Sequence, residues 1–174
     1  MVLLVALVFC GADAPVNDKV VEFARSKVGQ RVGDGECTAL AIEALRHAGA
    51  VRPRPRSGVW GDELDSLQGA RPGDVLQFEG AVFVRTRVRE DGAVTTQTFS
   101  FPHHTAIVAR VRKRGPRPIL IILHQNAGVE EGNRRVVKEW TIDLAEKRRG
   151  TVTAYRPIAD SPAEPCRGGR PLPP

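Results

Sequence analysis

Aromatic residues make up only 5% of this 174-residue chain. Proteins that grip single strands of nucleic acid stack bases on aromatic rings, so that function is not expected here. Cysteine is equally scarce: Cys10, Cys37 and Cys166 are the only three, and no CxxC pair occurs. That excludes a disulfide framework and a cysteine-based zinc site. A Cys37–Cys166 disulfide is conceivable, but it would silence the Cys37 thiol. The apolar run at residues 1–9 is too short to span a bilayer, so no stable membrane insertion is expected. Positive charge is plentiful, with a net charge of +6 and a pI near 9.8. It is scattered over residues 52–56, 85–89, 112–117 and 147–149, which reads as a solvated surface rather than a specific nucleic-acid interface.

With 41% hydrophobic and 26% charged residues, the chain has the composition of one globular domain. Residues 1–14 read as an apolar leader. The run at 1–9 followed by Cys10-Gly11-Ala12 has the form of a secretory signal peptide, although no Lys or Arg precedes it. A lipoprotein-type attachment at Cys10 and a buried first strand are the alternatives. The leader predicts a secreted, periplasmic or cell-envelope protein. Residues 15–158 read as the folded domain and the Pro/Gly-rich 159–174 as a disordered tail.

Within the domain, Asn17 is placed to cap a first helix over 18–28, and Gly29 to end it. A second helical pattern starts at Cys37. Small and apolar residues fall at 37, 40, 41, 44, 45 and 48, one face of a helix, and Gly49 is suited to its left-handed end. Residues 62–68 are expected to make a helical turn. The period then changes to that of strands. The Arg71-Pro72-Gly73-Asp74 turn precedes a strand at 75–78. A hairpin follows over 81–88 and 93–101, then strands at 105–111, 119–123, 134–142 and 150–156. Helices first and antiparallel strands after make an α+β arrangement.

The chemistry-bearing residues are few. Cys37 opens its helix, where unpaired N–H groups and the helix dipole favour a thiolate. Its alternative is a buried structural cysteine. His103-His104 begins one strand, and His124, followed by Gln125-Asn126, ends the next. Neighbouring antiparallel strands bring His103 or His104 to the same rim of the sheet as His124 or Asn126. A thiol, an imidazole and a polar group to orient it constitute a cysteine nucleophile.

The segment Gly35-Glu36-Cys37-Thr38-Ala39-Leu40-Ala41, the Arg71-Pro72-Gly73-Asp74-Val75 turn, His103-His104-Thr105-Ala106-Ile107-Val108 and His124-Gln125-Asn126 occur in this order. Together they resemble the NlpC/P60 and CHAP cysteine peptidases, papain-like folds that mostly cleave peptidoglycan peptides. The wording is closer still to the cysteine-proteinase-fold domain of fungal actin-patch, myosin-interacting proteins, where the fold does not entail peptidase activity. The resemblance implies N-terminal helices packed on an antiparallel sheet. It matches Cys37 to the nucleophile, His104 to the base and His124 to the third residue, with Asn126 competing for that last role and Gln30 near the oxyanion-hole position. Glu36 departs from the pattern, because a negative charge beside the sulfur opposes a thiolate. The implied activity is an amide hydrolase acting on a peptide or peptidoglycan-like substrate, with no metal or organic cofactor. The alternative is a catalytically silent papain-like binding module.

Overall fold

A computed structural model describes residues 15–51, 55–112, 117–127 and 135–160. The expected leader at 1–14, the tail from 161 onward, and Cys10 and Cys166 lie outside the described residues. Ala159 bridges Ala50, and Asp160 N–H donates to Gly49 O at 2.9 Å, so the packed chain reaches Asp160.

The first helix, α1 (Val16–Ser26), starts two residues earlier than expected, with Pro15 as its N-cap. Asn17 is not the cap. It lies inside the helix, 3% exposed, with its side chain turned onto the Asp74 carboxylate. A charged tertiary acceptor outcompetes the local backbone for that amide. The second helix, α2 (Cys37–His47), begins at Cys37 as the pattern required, and Gly49 follows it with a φ of 65°. Its stripe of Leu40, Ala41, Ala44 and Leu45 is buried against Val75, Ile107, Ile121 and Leu123 of the sheet. Trp60 is buried in the same core, its Nε1 donating to Gln77 Oε1 at 3.0 Å.

Among the described residues six antiparallel strands form one sheet: β1 (Asp62–Glu63), β2 (Val75–Val88), β3 (Val94–Arg112), β4 (Ile119–His124), β5 (Lys138–Asp143) and β6 (Lys147–Arg156). Their spatial order is β1-β6-β2-β3-β4-β5. Helices packed on an antiparallel sheet make the fold of the described residues α+β, as the sequence indicated. The 62–68 turn divides instead into β1 and a 3₁₀ turn at Leu67–Gly69.

The four strand segments expected between 75 and 111 are two long strands. Gly80 and Pro102, which fall in the gaps between those segments, lie within β2 and β3. Gly80 takes a φ of 57°, and on its other side Gly150 packs so closely that an added Cβ would come within 2.3 Å of the Gly80 backbone. The register with β6 shifts here, and the buried alternation changes phase, so Phe78 and Ala81 serve the same core. That second core lies on the sheet face away from the helices, built around Phe78, Phe83, Phe101, Leu120 and Ile122.

One side chain ties these parts together. Asp74 is 0% exposed. Its carboxylate accepts from Asn17 Nδ2 at 2.8 Å, Arg71 N–H at 2.9 Å and Arg156 Nη2 at 3.1 Å. Its backbone carbonyl accepts from Val108 N–H at 2.8 Å. Gly73 is needed beside it, because a Cβ there would stand 2.1 Å from Asn17 O. Removing the carboxylate strands a buried Asn amide and an Arg head. Asp74→Ala is therefore expected to lower the unfolding free energy by about 3–5 kcal/mol, measured by urea denaturation. Arg156→Ala, at the 30%-exposed end of the pair, should cost less.

Candidate functional site

The site is assembled where β3 and β4 diverge. Their ladder begins at Ile107 and Leu123, so His103-His104 and His124-Gln125 extend beyond it as a rim. The loop that leads into α2 is clamped to this rim by Gln125, which is 1% exposed. Its Oε1 accepts from Val32 N–H at 3.2 Å. Its Nε2 donates to Val32 O at 2.9 Å and Glu36 O at 2.7 Å. Gly33 and Gly35 both have positive φ in this loop, and a Cβ on Gly35 would crowd Arg135 at 3.0 Å. The clamp delivers Cys37 to the rim as the first residue of α2.

Cys37 is half-buried and its sulfur is free. The backbone N–H of Thr105, the residue after His104, lies close enough to the sulfur to favour its thiolate. On the same rim His104 Nε2 and His124 Nδ1 stand 3.1 Å apart, both rings buried. That bond leaves Nδ1 of His104 as the ring nitrogen available to a thiol. Among the described residues no hydrogen bond joins Cys37 to either imidazole. Phe78, Phe101 and Trp140 wall the histidine pair.

Electrostatics oppose ionisation of this group. Burial pushes the Cys37 thiol above its ordinary value. The Thr105 N–H pulls the other way, and the Glu36 carboxylate raises it again. Glu36 occupies the N-cap position without capping the helix by its side chain. It accepts from Asn126 Nδ2 and pairs with Arg135 at 3.3 Å. His104 is pushed down to about 3 by burial, then by His124 and His103. His124 is pushed down to about 4 by burial and then Lys138. A protonated thiol beside a neutral imidazole is the result.

The sequence brought His103 or His104 to one rim with His124 or Asn126, and the resemblance chose Cys37, His104 and His124; the structure places these three on that rim. Asn126 is there too, but at a φ of 57° its amide serves Glu36, not an imidazole. Gln30 is exposed and folds back onto Ser26 O at 3.3 Å, so no side-chain donor comes to the sulfur from it. His103 binds Glu79 at 2.9 Å across the β2–β3 ladder, beside Gln77. Sequence reasoning missed Gln125, Gln77 and Arg135. The position of Gln125 directly after the strand-ending His124 was the available signal. Gln77 is buried among Trp60, Thr105 and Glu79, and nothing in its flanks distinguishes it from a solvent-facing strand residue. No group of three or more His, Cys, Asp or Glu among the described residues is arranged to hold a metal ion.

A family model described as the AIM3/BBC1 cysteine proteinase-fold domain matches residues 11–165. Altered inheritance of mitochondria protein 3 of Debaryomyces hansenii is 30% identical over 159 residues, covering 82% of this chain and 16% of that protein. The chain thus spans a small part of its relative's length. No solved structure matches. These likenesses overturn the expectation of a secreted, periplasmic or cell-envelope protein, because the relative is a yeast protein named for mitochondrial inheritance. The apolar run at 1–9 carries no flanking basic residues, and hydrophobicity alone does not distinguish an export leader from another apolar segment. Among the described residues no helix is long and apolar enough to cross a membrane.

The two buried histidines make stability depend on pH. Unfolded, each would bind a proton near its ordinary value of 6.5, but folded only near 3 and 4. The unfolded chain therefore binds more protons across that window. Stability is complete above about pH 6.5 and declines as the pH falls toward 3. The unfolding free energy from urea denaturation should drop by a few kcal/mol in total between about pH 7 and pH 4, and His124→Asn should flatten the slope.

Proposed function

The chain belongs to the AIM3/BBC1 cysteine proteinase-fold domain family, and from that premise we propose that it is a protein-binding module that keeps the fold without hydrolysing amides. The observation that carries this reading is the charge placed against the thiol. Glu36 precedes Cys37 directly and is held beside it by Asn126 and Arg135. A carboxylate there works against the thiolate that the mechanism needs. The neutral His104, sealed under Phe78 and Phe101, is a weak acceptor for the thiol proton. The resemblance to the domain of fungal actin-patch, myosin-interacting proteins supports a protein partner rather than peptidoglycan.

A cysteine amide hydrolase of NlpC/P60–CHAP type is the second reading. What favours it is the His104–His124 bond at 3.1 Å on the rim that receives Cys37. In that reading the Cys37 thiolate attacks an amide carbonyl. His104 Nδ1 takes the thiol proton and later passes it to the leaving amine, while His124 orients the ring. Backbone N–H groups at the start of α2 would hold the oxyanion.

The rate of Cys37 alkylation by iodoacetamide against pH separates the two. The module should react slowly at neutral pH, accelerate only in alkaline buffer, and behave alike in His104→Ala. A plateau with an apparent pKa well below ~8.5, lost in His104→Ala, would overturn the module reading and establish an activated nucleophile.

A further inference from the structure

We propose that the groove beside the outer edge of β6 binds an extended peptide in which apolar residues lead into a run of acidic ones. This rests on the reading of the domain as a protein-binding module and assigns its docking surface.

The sheet is incomplete at this edge. β1 pairs with β6 only at Asp62↔Arg156 and Glu63↔Tyr155, with one further bond from Leu64 N–H to Ala154 O at 2.9 Å. The chain then turns away into the 3₁₀ turn at Leu67–Gly69. In an antiparallel ladder alternate residues direct both backbone groups to the same side. Ala154 faces β1, so the N–H and carbonyl of Val152 face the line that β1 has left. A groove of about 530 Å³ opens there. None of Cys37, His104, His124 and Asn126 lines it.

Its chemistry selects the occupant. Leu64, Leu67, Leu144 and Val152 line it with apolar surface backed by the second core. A strand edge that no described backbone pairs, above an apolar floor, suits a chain in the extended conformation, whose backbone pairs with the edge while alternate side chains enter the groove. Charge sets its direction. Arg117 and Lys147 stand at the end where β6 begins, and Glu63 stands opposite Tyr155 at the other. Acidic side chains of the peptide belong at the Arg117–Lys147 end. A second copy of this chain, itself at +6, is a poor partner for an edge that also carries Arg148 and Arg149.

The probe is a fluorescein-labelled peptide alternating valine and threonine in its first half and rich in glutamate in its second, read by fluorescence polarisation. Binding should weaken by about tenfold or more when lysine replaces glutamate, when the valine amides are N-methylated, and in Leu67→Glu. Arg117→Glu, at an exposed position, provides a second variant if Leu67→Glu fails to fold, and Cys37→Ala should bind normally. Absence of binding, indifference to N-methylation or charge reversal, or dimers in sedimentation that Leu67→Glu abolishes would overturn the proposal. Failure of the peptide to bind with an inert thiol removes this surface and leaves the module reading standing. A thiol with a low-pH plateau removes that reading, whatever the peptide does.

Discussion

The Asp74 carboxylate is the constraint on which the rest of this fold depends. A fully buried charge is tolerable only when every lone pair has a donor. Here the donors come from α1, from the turn before β2 and from β6. Satisfying that one group therefore fixes how the helical layer meets the sheet. The backbone of the same residue pairs with Val108 of β3, the strand that carries His104. Positioning of the candidate site is a downstream consequence of burying Asp74.

The rim of β3 and β4 shows how geometry and electrostatics can part company. Helix start, thiol and paired imidazoles share one rim, and among the described residues no hydrogen bond joins the thiol to a ring. Burial and Glu36 nonetheless hold the sulfur protonated and the histidines neutral. A helix N-terminus contributes a favourable field of limited size, and a carboxylate next to the sulfur offsets it. On this rim Gln125 locks the loop and the aromatic rings wall the imidazoles.

Binding, in contrast, needs surface that the fold has left unfinished. β1 ends after two residues, and its early departure exposes both backbone groups and apolar side chains at the edge of β6. Edge strands of this kind are usually blunted by charge, and Lys147, Arg148 and Arg149 do so over part of its length. The groove around Val152 is the portion left open. The docking surface and the cysteine rim sit on different strands, so one can serve a partner without involving the other.

The sequence by itself determined the class of fold, the start of α2 at Cys37, the end at Gly49 and the order of helices before strands. These follow from local periodicity and glycine stereochemistry, which act within a few residues. It also brought His103 or His104 to the same rim as His124 or Asn126, because strand ends joined by a short connection must lie together, while the choice of Cys37, His104 and His124 came from the family resemblance. Only the tertiary structure decided that Asn17 serves Asp74 instead of capping α1, and that β2 and β3 run through Gly80 and Pro102. It likewise assigned Asn126 to Glu36 and gave Gln125 its clamp. Each of these depends on a partner distant in the chain, such as Val32 for Gln125 or Gly150 for Gly80. Burial and charge at the sulfur belong to the same category: a thiol's surroundings, and hence its acidity, exist only once the chain has packed.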